Sequence, residues 1–229
     1  MRPLIGITSP TNADPFAMLC LALAVRLGGG KPVKLSAKRP YREMHVDGLL
    51  LGGGVDIFPE LYQETAREDR RYDRLRDELE VYWLKLAQEK RLPVLAICRG
   101  AQLMNVVHGG NLHMEVKSAY EDADYPSGVW AATFFRKPIK LTTGSKFQRL
   151  MDTDELMVNS IHKQAIANVG EGLTAVAREP NGVIQAIEDE SRPFYLGVQF
   201  HPEFLIYQER YRRIFKALVQ AAKADTDSQ

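Results

Sequence analysis

An α/β fold, a three-layer sandwich with a mainly parallel central sheet and helices on both faces, is the architecture this sequence predicts. Two observations carry it. Short apolar runs alternate with segments of helical periodicity through the first half of the chain, which is the rhythm of strand–helix–strand units. The run Leu92-Pro-Val-Leu-Ala-Ile97 is apolar throughout rather than at alternate positions, as a strand covered on both faces must be.

The elements follow in order. Pro3 to Thr8 is β-rich, apolar and stopped by Ser9-Pro10, a first strand. Asp14 as N-cap and Pro15 at the first helical position open a helix that ends at Gly28-Gly29-Gly30. Pro32 to Leu35 reads as the second strand and Val46 to Leu51 as the third, closed by Gly52-Gly53-Gly54. A charged stretch, Arg71 to Lys90, has helical periodicity with an apolar face of Leu75, Leu79, Tyr82 and Leu86. The fourth strand, Leu92 to Ile97, runs through Cys98-Arg99-Gly100 into a helical pattern reaching Val107. Beyond residue 111 the rhythm changes. Leu173 to Ala177, Val183 to Glu188 and Tyr195 to Gln199 are short strands, two or three of them expected to extend the sheet in antiparallel fashion. Leu205 to Ala222 is a final amphipathic helix. Residues 1–224 read as one domain and 225–229 as a frayed tail.

With 229 residues, 45% hydrophobic and 26% charged, the chain has ordinary globular composition and can bury one large core. Its net charge of +1, with scattered Lys and Arg, gives no field for nucleic acid or an anionic membrane. Only Cys20 and Cys98 are present, too few for a disulfide-stapled fold, which points to a reducing compartment. The apolar run Phe16 to Leu27 has the length of a signal-peptide core. Asp14 and Pro15 stand where a basic segment belongs, and Arg26 interrupts the far end. A soluble cytoplasmic protein without nucleic-acid or membrane partners is expected, with a homodimer left open.

The candidate chemistry begins at Ala96-Ile97-Cys98-Arg99-Gly100-Ala101-Gln102. A strand that ends on a Cys and passes directly into a helix is a nucleophile elbow. Such a turn holds the sulfur out, lets the helix N-terminus favour a thiolate, and offers backbone N–H groups to an oxyanion. The bland alternative, a buried inert Cys at a strand end, has equal weight on this segment alone. Gly197-Val-Gln-Phe-His201-Pro-Glu203 places a base two residues from a carboxylate that can orient its ring. A surface His beside a capping Glu is the commoner meaning of so short a pattern. Their conjunction changes the balance, because both follow strands and so reach one edge of the sheet. Gly52-Gly53-Gly54 also follows a strand, and its amides can approach a tetrahedral oxyanion. The spacing of His108, His113 and Glu115 matches no common zinc pattern, so no metal site is assigned.

C-x-G-x-Q at an elbow, an upstream triple glycine and a downstream G-V-Q-F-H-P-E resemble class I glutamine amidotransferase domains, whose fold is flavodoxin-like. More narrowly, the chain resembles the γ-glutamyl-γ-aminobutyrate hydrolase family. That likeness rests on Ile97 to Gly100, Asn105, Gly109-Gly110-x-Leu112, Val158-Asn159-Ser160-x-His162, Asp56-x-x-Pro59-x-x-Tyr62 and Arg76-Asp77. Asn111 and Lys163 depart from it, standing where many relatives carry Thr and His. The resemblance implies Cys98 as nucleophile, His201 as base and Glu203 as its orienting acid. It also implies an oxyanion hole from the amides of Arg99 and of Gly53 or Gly54. Substrate would be bound by Gln102, Asn159, Ser160 and His162. The implied reaction cleaves the γ-glutamyl amide of a small molecule through a Cys thioester, with no cofactor and no metal. Tyr120, Tyr125 and Trp130 are candidates for a covering loop. The alternatives are a glutaminase component that feeds ammonia to a separate synthetase, and a silent binding protein on the same fold.

Overall fold

The computed structural model describes residues 1–12, 15–39, 41–123, 125, 135–160 and 162–226. The expected cap Asp14 and the expected loop residue Trp130 lie outside them. The first half builds as anticipated: β1 (Leu4–Thr8), α1 (Pro15–Leu27), β2 (Lys31–Leu35), β3 (Gly48–Leu51), α2 (Arg74–Glu89), β4 (Val94–Ile97) and α3 (Arg99–Val107). There follow β5 (Leu112–His113), α4 (Val116–Ala119), β6 (Lys137–Leu141), α5 (Lys146–Met151), β7 (Glu155–Val158), β8 (Ala165–Ile166), β9 (Thr174–Arg178), β10 (Ile184–Glu188), β11 (Tyr195–Val198) and α6 (Glu209–Thr226).

The main sheet runs β2-β1-β3-β4-β11-β10-β9-β6-β7. Strands β2 to β11 in that order are parallel, the doubly wound arrangement whose strand ends form a crevice. From β11 onward every pairing is antiparallel. The expected antiparallel extension is therefore real but differently composed. Tyr195–Val198 joins the parallel half, while β6 and β7 enlarge the other. Alternate residues of the central strands feed two cores. Ile5, Ile7, Leu50, Leu95 and Ile97 pack with α1 and α6 on one face. Leu49, Leu51, Val94 and Ala96 pack with α2 and α3 on the other.

Two expectations change. The buried face of α2 is Leu79, Trp83, Leu84 and Ala87 together with Arg76, Asp77 and Glu80, and Leu75 is 53% exposed. The helix is rotated because its charged residues meet partners under the glycine loop. The last helix begins at Glu209 rather than Leu205, since Pro202–Phe204 forms a single 3₁₀ turn capped at Leu205. It also continues to Thr226, past the expected start of the tail.

Candidate active site

Cys98 sits between β4 and α3 with φ 52° and ψ −106°. A non-glycine residue in this region costs on the order of 1–3 kcal/mol and persists only where its surroundings over-determine it. They do so here. The Cys98 amide donates to Val198 O at 2.7 Å, and its carbonyl accepts from Gln102 N at 3.1 Å. Gly100 packs so closely on β3 that an added Cβ would stand 2.8 Å from the Leu51 carbonyl oxygen. The elbow is thus wedged between two strand ends.

The parallel register sets β11 beside β4, pairing Val198 with Ile97, so the chain leaving each strand arrives at the same edge. His201 Nδ1 lies 2.8 Å from Glu203 Oε1, which leaves Nε2 for the hydrogen bond to Cys98. The Phe204 ring stacks on the imidazole, with centroids 5.5 Å apart and planes at 26°. Asn159 fixes the backbone beneath: its Nδ2 donates to His201 O at 3.0 Å, and its Oδ1 accepts from His201 N at 3.2 Å. Gln199, adjacent to the His motif, donates from Nε2 to Cys98 Sγ at 3.4 Å.

Burial disfavours a charged His201 ring. The Glu203 carboxylate and negative charge on Cys98, with hydrogen bonds to both, more than offset it and hold the ring well above its ordinary value of 6.5. The unfolded chain releases this proton first. The stabilising contribution is therefore complete below pH 6.5 and fades as pH climbs through the folded value. The stability gap between wild type and His201→Gln in urea unfolding is expected to narrow as pH is raised from 6.5 into the alkaline range. A gap that widens with pH would contradict the pairing.

The glycine loop closes the third side. A Cβ on Gly53 would stand 2.6 Å from His201 Cε1, and one on Gly54 would collide with the Arg76 guanidinium. Gly53→Ala is expected to push the imidazole off the sulfur and slow turnover about 10²-fold, the scale of a 1 Å misplacement. Steady-state kinetics at unchanged thermal stability would show it.

A cavity of about 850 Å³ opens on Cys98, within the usual size of small-molecule sites. Its inner wall carries Gly54, Gln102, Tyr125, His162 and Gln164, and its outer wall Asp56, Asp69, Arg70, Arg71, Glu115, Lys117 and Lys163. Gln102 Nε2 donates to Gln164 O at 2.8 Å and to Gln199 Oε1 at 3.0 Å, leaving its Oε1 as the remaining acceptor. Burial first, then the charges of Lys137 and His201, pushes His162 down to about 3 against its bond to the Gln164 carbonyl. The ring is neutral, with Nδ1–H donating to Gln164 O at 2.7 Å. Ser160 is fully buried and donates to Gln185 Oε1 at 3.0 Å. Ser160 and Asn159 therefore stand behind the cavity wall, while Gln102 and His162 face the cavity. A second cavity, of about 350 Å³ beside α5 and the start of β11, holds none of these residues.

Several contributors were not anticipated. Arg76, Glu80 and the side chain of Arg99 form a buried ionic cluster under the loop. Glu179 accepts from Tyr125 Oη and Gln185 Nε2, each at 2.6 Å, and from Lys137 Nζ at 2.8 Å. Gln199 was legible only as part of the His motif. His108 bonds Gln88 and Tyr195, whereas Glu115 pairs with Arg67 and Arg70. Among the described residues no group of three His, Cys, Asp or Glu side chains is arranged for a metal ion, and no helix is long and apolar enough to cross a membrane.

The Peptidase C26 family model matches residues 3–203. A Rickettsia prowazekii protein named as glutamine amidotransferase-like is 30% identical, covering 97% of this chain and 98% of its own. The γ-glutamyl-γ-aminobutyrate hydrolase of Escherichia coli K12 is 32% identical over 78% of this chain and 72% of its own. A GMP synthase component of Thermoplasma acidophilum superposes with a TM-score of 0.72 over 100% of this chain and 98% of its own. At 18% identity that likeness speaks for the fold. The chain belongs to the Peptidase C26 family, cysteine-dependent amidohydrolases on the class I glutamine amidotransferase-like fold.

Proposed function

We propose that the protein hydrolyses the γ-glutamyl amide bond of a small γ-glutamyl compound, releasing glutamate and an amine. The observation that carries this reading is the bond from His201 to Cys98 on one side and, at 2.8 Å, to Glu203 on the other, at the floor of a cavity. Cys98 Sγ attacks the γ-carbonyl. The resulting oxyanion is received by the amides of Gly53 or Gly54 and of Arg99, the first residue of α3, whose N–H has no intrahelical partner. His201 gives its proton to the departing amine, then activates a water that cleaves the thioester. Glu203 holds the ring in one tautomer throughout. Gln102 Oε1 fits the glutamyl α-ammonium, and neutral His162 and Tyr125 form an uncharged wall.

Arg71 and Lys163 are exposed on the outer wall, and neither forms an ion pair with another described residue. They fit a leaving amine that itself ends in a carboxylate, as γ-aminobutyrate does. The ammonia-supplying reading keeps its place because a relative is named for glutamine amidotransfer. Amine release from γ-glutamyl-γ-aminobutyrate, uncharged γ-glutamyl amines, γ-glutamyl peptides and glutamine separates the two. Cleavage of one carboxylate-bearing conjugate by wild type and not by Cys98→Ala is expected. Preference for glutamine would favour ammonia supply, and a folded wild type inert on the whole panel would overturn the hydrolase reading.

A further inference from the structure

The glycine loop is pinned from below by one side chain. Arg76, in the first turn of α2 and 1% exposed, donates from Nη2 to Gly52 O at 2.9 Å and from Nη1 to Gly53 O at 2.8 Å. A trans peptide is planar, with its N–H opposed to its C=O. Fixing the carbonyls of Gly52 and Gly53 toward Arg76 therefore turns the amides of Gly53 and Gly54 away from it. Gly54 lines the cavity holding Cys98, and a Gly53 Cβ would touch His201. Neither amide donates to any other described group. Arg76 is itself held rigidly. Its Nε donates to Glu80 Oε1 at 2.8 Å, and Glu80, fully buried, also accepts from Thr8 Oγ1 at 2.6 Å and from Arg99.

From this geometry we propose that Arg76 is the positioning residue of the oxyanion hole. Its planar fork spans two successive carbonyls and presets the loop amides before substrate arrives. A lysine cannot do this, because an ammonium lacks the fixed fork that holds two acceptors in one plane. The inference rests on the hydrolase reading, since an oxyanion hole has meaning only in acyl transfer.

Two reactions of the same sulfur test it. Hydrolysis of a γ-glutamyl amide develops an oxyanion, whereas alkylation of Cys98 by iodoacetamide displaces iodide and develops none. In Arg76→Lys, kcat is expected to fall about 10²-fold, the scale of one lost oxyanion donor, with KM little changed and the alkylation rate within about twofold of wild type. Should that variant not fold, the Arg76→Gln, Glu80→Gln double variant removes the pair without stranding one charge and gives the same comparison. Unchanged kcat, or hydrolysis and alkylation falling in step, would overturn the positioning role alone. A wild type that alkylates readily but cleaves no γ-glutamyl compound would overturn the hydrolase reading and this inference with it.

Discussion

Replacing His201 by Ala is expected to lower turnover about 10⁴-fold, the upper range for a positioned general base, while also destabilising the fold. Both effects come from one arrangement. His201 is the group that takes the thiol proton and returns it to the amine, so its loss removes chemistry from both halves of the reaction. It is also the sole partner of Glu203 Oε1 among the described residues, and Glu203 Oε2 is buried with none. Without the imidazole a carboxylate remains buried and unpaired, which costs roughly 3–5 kcal/mol when an ion pair is broken from one side. Exogenous imidazole separates the effects: it should restore part of the turnover in the Ala cavity. The His201→Ala, Glu203→Gln double variant should recover stability but not activity. If the double variant recovers neither, Glu203 is not a charge that depends on His201.

The three strand-end motifs were legible because each is local: the apolar strand, the residue at the turn and the following helix or proline lie within seven or so positions. The parallel half of the sheet followed from the same runs. What the sequence hid is non-local. Arg76 and Glu80, spaced i and i+4, read as a solvated ion pair on a charged helix. They are buried because Thr8, the glycine loop and Arg99, from three separate strand ends, converge on them. Strands β6 and β7 were missed for another reason. Lys137-Pro-Ile-Lys-Leu141 and Glu155-Leu-Met-Val158 bury only alternate residues. At a sheet edge, Lys, Pro and Glu between the apolar positions guard against further pairing and dilute the apolar signal. Asn159 and Ser160 were placed on the substrate side by resemblance, yet their polar atoms are engaged by the His201 backbone and Gln185.

Glu80→Ala is expected to be the most destabilising single change in the buried cluster. Glu80 is 0% exposed and neutralises Arg76 and Arg99, each 1% exposed. Removing it leaves Asp77 alone against two buried guanidinium groups. The loss is roughly 3–5 kcal/mol, or on the order of 10 °C in Tm for a chain of this size, measurable by calorimetry. The acid limb carries a matching signature. Burial pushes the Glu80 carboxyl up, but Arg76, Arg99 and the Thr8 hydroxyl together bring it below its ordinary value of 4.5. Its stabilisation is thus present above pH 4.5 and is lost as pH falls through the folded value. Asp77 has the opposite sign: burial and Glu80 raise it to about 6 despite Arg99, so its charging between 3.8 and 6 lowers stability as pH rises. Wild type and Glu80→Gln should therefore differ widely at neutral pH and converge below pH 4.5, whereas Asp77→Asn should remove the opposing slope above it. A Glu80→Gln deficit that persists undiminished in acid would mean that packing, not charge, is what Glu80 supplies.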